Sequence, residues 1–90
     1  MTVSDLIESE CESIKQLLLM KNKGYGNSFM YPANVFCKLP AIEQINVRID
    51  DKINRIAKGT DTDAVPEDTE LDLIGYLILK RVLRKADEKD

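Results

Sequence analysis

Ninety residues make one domain, spanning 1–90, with room for only a modest core. The chain is 43% hydrophobic and 32% charged, which suits a folded, helix-rich polypeptide and argues against disorder. A net charge of −3 gives no electrostatic reason to expect long nucleic acid as a partner, and the absence of histidine removes histidine triads, histidine metal sites and imidazole acid–base chemistry.

Any metal would then be a hard ion held by oxygen, Mg²⁺ or Mn²⁺. The two cysteines, Cys11 and Cys37, lack CxxC spacing, and Cys11 falls on an apolar helix face, where it reads as a buried thiol. With no signal peptide and no apolar run of transmembrane length, the expected location is cytoplasmic, with no membrane partner and no disulfide.

Thr2 or Ser4 can cap a first helix running to about Asn22. At about 100° per residue, Ile7, Cys11, Ile14 and Leu18 share one face, flanked by Leu6 and Leu17. Asp5, Glu8 and Glu12 point away as a solvated face, whereas Glu10 and Lys21 fall inside the apolar arc. The stretch Lys21-Asn22-Lys23-Gly24-Tyr25-Gly26-Asn27-Ser28-Phe29 then breaks the helix with two glycines. As a turn it needs no function. As a site it offers two lysines, backbone N–H groups and the aromatic faces of Tyr25, Phe29 and Tyr31, which can grip a phosphate and stack a base.

Pro32 predicts a short helical turn from Ala33 to about Cys37, ended before Pro40. A second long helix is expected from Ala41 to Lys58, with Ile42, Ile45, Ile49, Ile53 and Ile56 stacked on one face and Gly59 as its stop. Arg48, Lys52 and Arg55 form a basic ridge beside that stripe, either a ligand surface or ordinary helix solubility. Gly59 to Val65 reads as an acidic loop without EF-hand spacing, and Pro66 suits the first turn of a third helix ending near Lys85. There Leu71, Ile74, Ile78 and Val82 form the apolar stripe. Asp68 and Asp72 lie one above the other on its edge, interleaved with Gly75, Leu79 and Leu83. Two carboxylates beside a core call for a metal, a base or buried hydrogen bonds, unless the helix is rotated and both stay wet at its N-terminus.

The expected fold is all-α: three long helices plus one short helix, a bundle completed by oligomerisation. Leu73, Leu77 and Val47 fall outside the main stripes and need cover from a partner copy.

Three blocks carry a resemblance: Lys21-Asn22-Lys23-Gly24-Tyr25-Gly26, Val47 to Ile56, and Glu67 to Tyr76. In this order they resemble the nucleotide-modification-associated domain family, a phage-rich family similar to the MazG-like all-α NTP pyrophosphohydrolases. The resemblance implies a helical oligomer in a phage-infected bacterial cell, binding a nucleotide with acidic side chains holding Mg²⁺ against its phosphates. By position, Asp51, Asp68 and Asp72 match the acidic residues, and Lys52 and Lys21 the basic ones. Gly24 stands where the family carries an acid, and the EExxE motif is missing, with Glu10 a partial substitute. Helical winding also sets Asp51 almost opposite the isoleucine stripe, so that it serves a site only across a subunit interface.

The candidate nucleotide-binding residues are accordingly Lys21, Asn22, Lys23, Tyr25, Asn27, Arg48, Lys52, Arg55 and Tyr76. The candidate Mg²⁺ ligands are Glu10, Asp51, Asp68 and Asp72, and no residue is assigned to catalysis. Two functions compete, both ranked above a third reading, a structural helical protein whose charges have no ligand. One is Mg²⁺-dependent cleavage of a nucleoside triphosphate to monophosphate and pyrophosphate. The other is non-catalytic capture, for example sequestration of a host immune nucleotide signal, which tolerates the missing acids better.

Overall fold

The computed structural model describes residues 1–59 and 68–88. Three helices account for most of them: α1 (Val3–Tyr25), α2 (Ala41–Lys58) and α3 (Thr69–Glu88). α3 begins at Thr69, after a non-helical Asp68, and runs to Glu88, so both ends fall later than the expected Pro66 and Lys85; Pro66 itself and the acidic loop, apart from Gly59, lie outside the described residues.

Local chemistry sets the helix ends. Thr2 accepts a hydrogen bond from the Asp5 backbone while the Asp5 carboxylate accepts one from the Thr2 backbone, a reciprocal cap that satisfies two orphan donors. α1 runs past its expected end at Asn22, through Gly24 to Tyr25, and only Gly26 stops it, with a φ of 59° in the left-handed conformation that glycine adopts without steric cost. Gly59 ends α2 in the same way, with φ 61°.

The expected short helix after Pro32 is absent, and residues 31–40 form bends and extended backbone. Asn34 is the reason. Its φ of 55° breaks any helical run, and the conformation is held from both sides: Gln44 donates to its Oδ1 at 2.8 Å, and Lys38 Nζ donates to its carbonyl at 2.7 Å.

α2 and α3 pair antiparallel. Lys52, late in α2, meets Asp72, early in α3, while Ile45 and Ile49 share the buried core with Leu83. Phe29, Met30, Ala41, Ile42, Leu73, Tyr76 and Leu79 pack around those three. Leu73 therefore needs no partner copy, whereas Leu77 and Val47 remain exposed.

The packed face of α3 differs from the expected stripe. Ile78 and Val82 are 38% and 41% exposed, while Thr69, Gly75 and Leu83 are buried and Asp72, Tyr76 and Leu79 are half-buried. α2 explains this, because its buried line is Ile45, Ile49 and Lys52 rather than the full isoleucine stripe. Ile53 and Ile56 are 50% and 47% exposed. A buried ammonium requires a counter-charge, so α3 turns Asp72 towards Lys52 at the expense of its own isoleucine and valine.

α1 meets α3 over a short stretch only. At that crossing a Cβ on Gly75 would lie 3.1 Å from Leu18 Cδ2, so the glycine permits the close approach. None of α1 is fully buried, and every residue from Val3 to Ser13 is solvent-exposed. Cys11, expected to be buried, is exposed, as is Cys37, and both are free thiols.

Candidate functional site

The crossing of α1 over the α2–α3 pair leaves a cleft of about 580 Å³. Each wall comes from a different element: Ile14, Leu18 and Tyr25 from α1, Phe29 from the connecting turn, Arg48 and Lys52 from α2, and Asp72, Gly75 and Tyr76 from α3. Its lining is mixed, with apolar side chains, aromatic rings and cations.

The polar centre is Asp72. Its Oδ1 lies 3.8 Å from Lys21 Nζ and its Oδ2 3.5 Å from Lys52 Nζ, so one carboxylate faces two ammonium groups from two other helices. The side chains are 44% exposed for Lys21, 10% for Lys52 and 24% for Asp72, placing the triad across the boundary between core and solvent. With Arg48 also lining the cleft, cations outnumber carboxylates there. Such a surplus in a partly desolvated cleft favours a multiply charged anion.

Six of the nine expected nucleotide-binding residues line this cleft: Lys21, Asn22, Tyr25, Arg48, Lys52 and Tyr76. The other three lie outside it. Asn27 adopts φ 61° and accepts a 2.6 Å hydrogen bond from the Asn22 amide, which orients Asn22 and closes the turn. Lys23 is exposed at the end of α1. Arg55 is half-buried on α2 and sits 3.6 Å from Asp51.

The four acids expected to hold Mg²⁺ are not brought together. No cluster of three or more Asp, Glu or Cys side chains able to hold a metal occurs among the described residues. Asp68 accepts a 3.0 Å hydrogen bond from the Leu71 backbone N–H and caps α3, its oxygen serving the helix end. Asp51 pairs with Arg55, on the outer surface that winding predicted for it. Glu10 is exposed on the free part of α1. Only Asp72 faces the cleft, and it faces lysines.

Gln44, which is not among the expected binding residues, also lines the cleft. Its signal was legible: Gln44, Arg48 and Lys52 recur every four residues along one edge of α2. Gln44 further donates at 2.8 Å to the Leu39 carbonyl, which ties the segment before α2 to the cleft wall.

Comparison with known families, curated proteins and solved structures finds no match to this chain. Among the described residues, no helix is long and apolar enough to cross a membrane.

Proposed function

We propose that this protein binds a nucleotide in the cleft between α1 and the α2–α3 pair, acting as a homo-oligomer that captures its ligand. The observation that carries the reading is the pairing of Lys21, Lys52 and Arg48 with the rings of Tyr25 and Tyr76 in one cleft. Phosphate oxygens take the places around Lys21, Lys52 and Arg48, where ammonium and guanidinium groups donate charge-assisted hydrogen bonds. A base takes the aromatic side, with Tyr25 the exposed stacking surface. The resemblance to the MazG-like pyrophosphohydrolases and the phage-type nucleotide-modification-associated domain supports the same ligand class. Capture of a host signalling nucleotide is one use consistent with it.

Capture is preferred over hydrolysis because Asp72 is the sole acid of the proposed set at the cleft, already engaged by two lysines. Hydrolysis remains the second reading. Asp72 is the one carboxylate placed to hold Mg²⁺ beside a phosphate, and the metal would lower the pKa of an attacking water.

One experiment separates these readings. The protein is incubated with a panel of linear and cyclic nucleotides, in Mg²⁺ and in EDTA, and free, bound and converted ligand are resolved by chromatography. Tight binding that survives EDTA with the nucleotide returned intact establishes capture. Mg²⁺-dependent pyrophosphate release that vanishes in Asp72→Asn establishes the enzyme. No binding by any member of the panel overturns both. For a ligand that does bind, Tyr25→Ala is expected to weaken affinity about tenfold to a hundredfold, the usual worth of one stacked base. An unchanged affinity in calorimetry would leave the Lys21–Phe29 stretch only the end of α1 and its turn.

A further inference from the structure

Among the described residues, two apolar strips reach the surface, one on α1 and a half-covered one on α3. The apolar arc of α1 continues from Ile14 and Leu18, which line the cleft, through Cys11, Ile7, Leu6 and Val3, all of them solvent-exposed. Leu6 is 55% exposed, Ile7 59% and Val3 72%. On α3, Ile78 and Val82 form the second strip, left open by the rotation that turns Asp72 to Lys52.

The charged residues beside these strips are of opposite sign. The free half of α1 bears Asp5, Glu8, Glu10 and Glu12 and no cation before Lys15; of these only Glu10 lies on the apolar arc, and the other three point away from it. The second half of α3 bears Lys80, Arg81, Arg84 and Lys85. None of those four cations has an ion pair among the described residues, and Glu10 has none either. On a helical winding Arg81 and Lys85 border Ile78 and Val82, while Glu10 lies within the apolar arc of α1 between Ile14 and Leu17. Each strip has what the other lacks.

We propose that two copies of this chain exchange these surfaces reciprocally: the free half of α1 from each copy packs on the Ile78–Val82 strip of the other, with Glu10 facing Arg81 and Lys85 across the interface. The arrangement is self-complementary under a two-fold axis, since one copy supplies both halves of the contact. The proposal also gives Glu10 a use that the cleft does not, because an acid inside an apolar arc is costly unless a cation meets it. In naming the interface it rests on the oligomeric part of the proposed function, and it is independent of what the cleft binds.

The test is a mixing experiment followed by sedimentation equilibrium at micromolar concentration. Wild type is expected to be dimeric or a multiple of the dimer. Ile7→Glu, at an exposed position that leaves the core intact, should weaken association by about a hundredfold, since it places a charge at the centre of the contact. Glu10→Lys alone, and Arg81→Glu with Lys85→Glu alone, should each dissociate as well, because each homodimer then holds like charges in both contacts. Mixed one to one, the two charge variants should reassociate: in the mixed pair, both contacts again oppose unlike charges. Circular dichroism on each variant should report unchanged helix content. A monomeric wild type would overturn both the oligomer and this interface. An oligomer that survives Ile7→Glu, or charge variants that fail to reassociate on mixing, would overturn the interface and leave another oligomer standing.

Discussion

Asp72 is the residue on which the candidate site turns. It neutralises part of the charge of Lys21 and Lys52, and one of those ammonium groups is nearly buried. Asp72→Asn removes that counter-charge, so the folded protein should lose about 1–3 kcal/mol in a denaturant titration. The same substitution should raise affinity for a polyphosphate in EDTA several-fold, because a repelling charge is gone and both lysines are released. Under the metal reading the sign reverses, and affinity in Mg²⁺ falls.

Asp5 offers a pH handle at the other end of the chain. Hydrogen bonds from the Thr2 backbone and side chain hold its carboxyl below the ordinary 3.8. A group lowered on folding contributes stability that is fully present above its unfolded value and disappears as pH falls through the folded one. Helix content at the start of α1 should therefore be constant above about pH 5 and decline in acid. In Thr2→Ala the decline should begin at higher pH, and residue-resolved amide chemical shifts across Val3–Glu8 would show whether it does.

At the scale of elements, Gly75 governs how α1 sits on α3. Alanine there gains about 0.5–1 kcal/mol of helix propensity and meets only the end of a half-buried leucine side chain, at 3.1 Å. Gly75→Ala should therefore be neutral to slightly stabilising in thermal melts. Gly75→Val has no such escape. It should push α1 off α3 and abolish cleft binding while the α2–α3 pair keeps its helix content. α2 was legible to the residue, from Ala41 to Lys58 with Gly59 as its stop, because a stop glycine and a long apolar period leave little choice. The short helix after Pro32 was not, since its absence depends on Gln44, ten residues away, bonding Asn34.

For the whole molecule, the fully buried apolar core amounts to Ile45, Ile49 and Leu83 among the described residues. A domain this small has stability of about 5–15 kcal/mol at best, and Leu83→Ala should remove roughly 2–5 kcal/mol of it. We expect that variant to be largely unfolded at 37 °C if monomeric, with loss of the cooperative melt as the readout.

Helix identity, the start of α1 and both ends of α2 were determined by sequence alone, because capping, glycine conformation and periodicity act within a turn or two of chain. The rotation of α3 was decided only in three dimensions. Periodicity ranks faces by apolarity and puts Leu71, Ile74, Ile78 and Val82 inwards. The packed structure must also match a buried Lys52 with a carboxylate, and that requirement outweighs two half-exposed aliphatic side chains. The same long-range pairing took Asp72 from the expected metal set and placed it between two lysines, while Asp68 and Asp51 were claimed by a helix end and a neighbouring arginine.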